Sequence, residues 1–147
     1  MKLIAPTTLD DALTIRAETG ARVFAGGTDL FPERATRQGW GDRREETWLD
    51  LSRLPGLRGA ARDGAWWRIG CLTTWTDLIN APLPPQFDGY RAAARDVGGA
   101  QIQNRGTLVG NVCTASPAGD GIPCLIALDA EIELTSRGGV RRVPITQ

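Results

Sequence analysis

Gln101-Ile102-Gln103-Asn104-Arg105-Gly106-Thr107-Leu108-Val109-Gly110-Asn111-Val112-Cys113-Thr114-Ala115-Ser116-Pro117-Ala118-Gly119-Asp120 is the stretch on which the reading of this chain turns. It is rich in small and hydroxylated residues and poor in large ones. Gly106 and Gly110 permit a tight, exposed backbone. Thr107, Asn111, Thr114 and Ser116 offer short hydrogen-bonding groups. Such a composition is unsuited to filling a hydrophobic core and too polar for an ordinary buried connection. Two readings stand: a long surface loop, or a backbone shaped around a ligand. Asp120, just before an apolar helical stretch, is equally a helix cap or an acceptor for a ribose hydroxyl.

A second glycine segment lies upstream, Val23-Phe24-Ala25-Gly26-Gly27-Thr28-Asp29-Leu30. A buried strand, Arg22 to Ala25, runs into two glycines that can take positive φ. Free N–H groups at such a turn, followed by a helix N-terminus, form an anion site that a diphosphate would fit. Asp29 would repel a phosphate, so its expected task is to cap the next helix, leaving Thr28 free to donate. An ordinary strand-to-helix turn explains the same residues. The spacing is not G-x-G-x-x-G, so no Rossmann fingerprint is present.

Outward from these loops the chain divides into two parts. Over residues 1–55, strands at Lys2–Ile4, Arg22–Ala25 and Thr47–Leu51 alternate with two helices. The first is capped by Thr8 and Asp11, packs through Leu9, Ala12 and Leu13, and ends at Gly20. The second follows Thr28-Asp29, with Pro32 tolerated in its first turn. Over residues 56–147, Asp63-Gly64 reads as the turn of a hairpin between Leu57–Arg62 and Ala65–Ile69. Thr74 to Asp77 caps a short helix broken by prolines 82, 84 and 85. Helices follow from Tyr90 to Val97 and from Asp120. Ala130–Leu134 alternates as a strand and turns through Arg137-Gly138-Gly139 into Val140–Val143. The chain stops directly after a strand and reads as truncated.

Charge and composition exclude several function classes. The 17 basic and 17 acidic residues balance, so no polyanionic partner such as nucleic acid is indicated. Arg43-Arg44 beside Glu45-Glu46 reads as a self-neutralised surface. The absence of histidine excludes Ser-His and Cys-His triads and the usual zinc and non-haem iron sites. Cys71, Cys113 and Cys124 form no C-x-x-C pair, so neither a disulfide framework nor a metal cluster is expected. No signal peptide or spanning segment is read, and the default location is cytoplasmic. Trp66 and Trp67 are expected on opposite faces of a strand, Trp40, Trp48 and Trp75 in the core or an interface, and Cys113 as a small buried thiol.

Four motifs in order carry a resemblance: A-G-G-T-D-L at 25–30, I-G-C-L-T-T at 69–74, Q-I-Q-N-R-G-T-L-V-G-N at 101–111 and A-S-P-A-G-D at 115–120. They resemble the FAD-binding domain of molybdopterin dehydrogenases, of the xanthine dehydrogenase and carbon monoxide dehydrogenase medium-subunit type. Leu128-Asp129-Ala130 and Arg141-Arg142-Val143-Pro144 fit the same pattern. The departures are Leu108-Val109 where the family has T-I-G-G-N, Gln103 where it favours arginine, and a family domain that continues past Gln147.

The resemblance implies an α+β, two-part FAD-binding fold of the PCMH type. In it a small βαβ-like unit precedes the start of a larger, mainly antiparallel subdomain. It assigns Ala25, Gly26, Gly27, Thr28, Asp29 and Leu30 to the FAD diphosphate and its surroundings. Thr107, Gly110, Asn111, Thr114, Ser116 and Asp120 are assigned along the rest of the cofactor. No catalytic residue and no metal ligand is expected in this chain. The implied activity is electron transfer, from iron–sulfur clusters on partner subunits that also carry molybdopterin, through FAD, to an acceptor such as NAD. The alternatives are a truncated or degenerate binding module, and a stand-alone flavin reductase of the same broad fold, such as UDP-N-acetylenolpyruvoylglucosamine reductase.

Overall fold

The computed structural model describes residues 2–146. Strand β1 (Lys2–Ile4) leads to helix α1 (Leu9–Thr19), β2 (Arg22–Phe24), α2 (Leu30–Gly39) and β3 (Thr47–Asp50). The three strands form a parallel sheet in the order β1-β3-β2. Both termini of α1 are written in the sequence. Thr8 Oγ1 accepts from the Asp11 N–H at 3.2 Å, Asp10 and Asp11 sit in the first turn, and Gly20 closes the helix at φ 65°.

β3 is central and buried on both faces, as parallel strands covered by helices are. Leu49 packs with Ala12 of α1, Ala21 and Leu54. Trp48 faces the other way, where Phe24 stacks on it at 5.8 Å, Phe31 of α2 lies 5.4 Å away and the Arg34 guanidinium sits over its ring. Two expectations are corrected here. Leu9 is exposed, and Ile15 takes the inward position one turn after Ala12. Val23 is exposed, so β2 buries Phe24 and not the whole strand.

Beyond the sheet, β4 (Ala60–Asp63) and β5 (Trp66–Ile69) form a hairpin. Asp63 pairs with Trp66, so the turn is Gly64-Ala65, one residue later than expected; Gly64 at φ 61° supplies its first position. α3 (Trp75–Asn80) opens with a capping box between Thr74 and Asp77. A 3-10 turn (Pro85–Phe87) then runs into α4 (Asp88–Asp96). α5 (Ala100–Gln103), α6 (Leu108–Thr114) and α7 (Gly121–Ala127) follow. β6 (Glu131–Ser136) and β7 (Gly139–Pro144) close the described chain as a second hairpin around Arg137-Gly138, with Gly139 opening β7. The arrangement is the mixed α+β one expected, its strands in one three-stranded sheet and two hairpins.

A second core gathers Trp75, Leu78, Leu83, Phe87, Tyr90, Ala94, Leu108 and Leu125. Trp75 and Tyr90 stack at 5.8 Å, and the Tyr90 hydroxyl is buried without a hydrogen-bond partner among the described residues. Residues 101–120 are therefore not one surface loop. They include the end of α5 and the whole of α6, and Leu108 is a core residue with Val112 packed on the same cluster. That i, i+4 apolar pair is a helical signal diluted by the small residues between. Trp67 packs edge-on against Phe87 while Trp66 is half-exposed, as expected of strand neighbours. Trp48 and Trp75 are buried, but Trp40 is 89% exposed and belongs to no core. Cys113 is exposed, against the expectation of a buried thiol. Among the described residues, no helix is long and apolar enough to cross a membrane.

Candidate functional site

The two glycine segments, distant in sequence, meet in space. A Cβ on Gly26 would collide with the carbonyl group of Arg105, so the two backbones touch where only glycine fits. Gly27 takes φ 76°, and its Cα faces the rings of Phe24 and Phe31. The turn is thus pressed onto the Phe24–Phe31–Trp48 cluster on one side and onto Arg105-Gly106 on the other. Among the described residues, the N–H groups of Gly26, Gly27, Thr28 and Asp29 make no hydrogen bond, and neither does the Thr28 hydroxyl. Ala25 and Leu30 flank this row, Leu30 as the first residue of α2. A run of unpaired N–H groups at a helix N-terminus is a donor set suited to an anion.

Asp29 does not cap α2 as expected: its side chain makes no capping bond. Its Oδ2 accepts instead from Thr114 Oγ1 at 2.6 Å. The backbone angles account for the difference. Asp29 sits at φ −99°, ψ −40°, inside the helical region and away from the extended conformation in which an N-cap side chain folds back.

The second segment is anchored below this contact. The Gly106 carbonyl accepts from Trp75 N–H and the Leu108 N–H donates to the Thr73 carbonyl, each at 3.1 Å. Thr107 is buried and caps α6, its Oγ1 accepting from Gly110 N–H at 3.0 Å. A Cβ on Gly110 would lie 2.8 Å from that oxygen, so the glycine keeps the cap intact. Asn111 Oδ1 accepts from the Gly121 N–H at 3.1 Å and ties α6 to the start of α7. Ser116 Oγ accepts from Ala118 N–H within its own turn. Asp120 stands exposed before α7 with no side-chain capping bond, which leaves its carboxylate available and removes the cap reading.

The expected site residues therefore divide. Gly26, Gly27, Thr28, Asp29 and Thr114 lie at one junction. Thr107 Oγ1, the Gly110 N–H and Asn111 Oδ1 are engaged within the fold. Sequence reasoning missed Arg105, whose carbonyl forms the floor under Gly26, and Thr73 and Trp75, which hold that floor. The one available signal was the small glycine at 26, which implies a close neighbour without naming it.

The arginines behave differently from the expected local neutralisation. Arg44 pairs with Asp42 at 2.6 Å, while Glu46 accepts from Arg37 at 2.7 Å, Arg34 at 3.1 Å and, more distantly, Arg22. The Arg37 guanidinium and its neighbours hold the Glu46 carboxyl below its ordinary range. An open cleft of about 340 Å³ beside this network is lined by Thr36, Arg37, Trp40, Asp42 and Arg44, away from the glycine junction. Its charges are already paired, so it offers a weaker ligand site than the free N–H row. Among the described residues no group of His, Cys, Asp and Glu could hold a metal ion.

The model of the FAD binding domain in molybdopterin dehydrogenase matches residues 1–147. The chain belongs to that family. It is 37% identical over 142 residues to a putative xanthine dehydrogenase FAD-binding subunit of Escherichia coli (strain K12), covering 94% of this chain and 47% of that protein. It is 34% identical to the nicotinate dehydrogenase FAD-subunit of Eubacterium barkeri, covering 99% of this chain and 49% of the relative. Reconstituted CO dehydrogenase from Oligotropha carboxidovorans superimposes with a TM-score of 0.90 at 28% identity, over 99% of this chain and 50% of the solved one. Carbon monoxide dehydrogenase from Hydrogenophaga pseudoflava gives 0.87 at 28% identity, with the same coverage. The chain spans about half the length of these relatives.

Proposed function

We propose that this chain binds FAD and serves as the electron-transfer component of a molybdenum hydroxylase-type oxidoreductase. The single observation that carries the reading is the row of unpaired N–H groups at Gly26, Gly27, Thr28 and Asp29, within a chain of this family. Those groups, with the Thr28 hydroxyl, would hold the diphosphate, and Ala25 and Leu30 would frame it. On the α6 side, Thr107, Gly110 and Asn111 shape the wall through which Thr114, Ser116 and Asp120 face the rest of the cofactor. The exposed Asp120 carboxylate suits a ribose hydroxyl. The flavin, when bound, supplies the redox chemistry; this chain's residues bind and orient it. Partners carrying molybdopterin and [2Fe-2S] clusters, and an acceptor such as NAD, complete the proposed role, which belongs in the cytoplasm.

Two subdomains, at residues 1–55 and 56–147, are part of the same reading, supported by the separate cores around Leu49 and Trp75. Leu57, across that boundary, nevertheless packs on the first core. A second reading, a binding module without redox turnover, is favoured by one observation: the Thr107 hydroxyl and the Asn111 side-chain oxygen already accept from the Gly110 and Gly121 N–H groups rather than awaiting a ligand. Absorbance after incubation with FAD and removal of the excess separates the two. Persistent oxidised-flavin bands support FAD binding; a featureless visible spectrum overturns it and leaves the module reading.

A further inference from the structure

The contact between Asp29 and Thr114 serves neither helix end in the usual way. A threonine in a last helical turn ordinarily bonds back to the carbonyl four residues earlier. Thr114 Oγ1 does lie 3.1 Å from the Gly110 carbonyl, but it is nearer, at 2.6 Å, to the Asp29 carboxylate. A hydroxyl has one proton, and the ionised oxygen is the stronger acceptor. The bond joins residues 85 positions apart, and it lies beside a second inter-loop contact, Gly26 against Arg105 and Gly106. One contact alone would act as a pivot. Two at different points fix both the spacing and the angle between the loops.

We infer that the Asp29 side chain is a positioning group: through Thr114 it holds the Gly26–Asp29 N–H row in a set orientation toward α6, and its carboxylate does not itself touch the cofactor. This rests on the FAD reading above and deepens it. The electrostatics agree. A carboxylate turned onto a phosphate would oppose binding, whereas one turned away onto a hydroxyl leaves the N–H groups to the anion.

The test is FAD titration of the whole chain as wild type, Asp29→Ala, Thr114→Val, the double variant and Thr114→Ser, with thermal midpoints measured alongside. Each of Asp29→Ala and Thr114→Val is expected to weaken FAD binding about tenfold. The double variant is expected to be no weaker than either, Thr114→Ser to bind as wild type does, and the midpoints to stay within about 3 °C. Losses that multiply in the double variant overturn the inference. So does a loss with Thr114→Val that Asp29→Ala does not share, since Thr114 would then act on the ligand alone. A wild-type chain that takes up no FAD overturns the FAD reading itself, an outcome distinct from either.

Discussion

Gly26 faces the carbonyl of Arg105 so closely that no side chain can stand between them. This contact joins the parallel sheet's loop to the segment that enters α6, and it depends on a missing Cβ. Gly26→Ala must push the loops apart or distort one of them. We expect a loss of about 1–3 kcal/mol together with weakened FAD uptake, read by thermal denaturation and by flavin titration. Gly39, where a Cβ meets nothing within 4 Å, is the control; Gly39→Ala should leave both unchanged or slightly raise stability.

Thr107 is buried, caps α6 and is bridged to Thr74. Thr107→Ala should cost about 1–2 kcal/mol, and Thr107→Ser, which keeps the oxygen, much less. Denaturant midpoints check both. Equal losses in the two variants would assign the effect to the methyl group and remove the cap from the account.

The Tyr90 hydroxyl is buried and unpartnered among the described residues, and burial pushes its pKa upward. Removing it leaves the Trp75 stack in place and abolishes an unsatisfied group. Tyr90→Phe should therefore be neutral or stabilising by up to about 1 kcal/mol, whereas Leu78→Ala, in the same core and fully buried, should cost about 2–5 kcal/mol. A marked destabilisation by Tyr90→Phe would mean that the hydroxyl has a partner after all.

Asp77 joins two tasks, closing the capping box of α3 and receiving Arg58 at 2.7 and 2.9 Å. The Arg58 hydrogen bonds, with those from Thr74, lower its pKa from 3.8 to about 2. A carboxylate held lower in the folded chain contributes stability that is fully present above its unfolded value and lost as pH falls toward the folded one. The wild type should thus lose this part of its stability between about pH 4 and pH 2. Asp77→Asn should be less stable at neutral pH and show a flatter acid limb in thermal melts taken across that range.

Much of the local structure was legible in the chain. Thr8, Thr74 and Gly20 mark helix ends because capping is decided within a few residues. The glycine pair at 26–27 marked a turn able to take positive φ, which Gly27 does, and the charge balance and missing histidines excluded whole chemistries without any fold. Turns were legible to within one residue, as at Gly64, because a hairpin's register depends on which partner each strand residue finds.

What only the tertiary structure decided involves residues far apart in sequence. No local pattern could show that Gly26 lies on Arg105, that Asp29 turns from its own helix to Thr114, or that Glu46 gathers Arg22, Arg34 and Arg37. Residues 101–120 misled for the same reason. Their small side chains dilute the helical period, and the burial that makes Leu108 a core residue comes from Trp75 and Leu125, which the sequence places elsewhere. The sequence determined which short stretches could bend, cap or donate; packing across the chain determined which of those groups were used up within the fold and which were left free to meet a ligand.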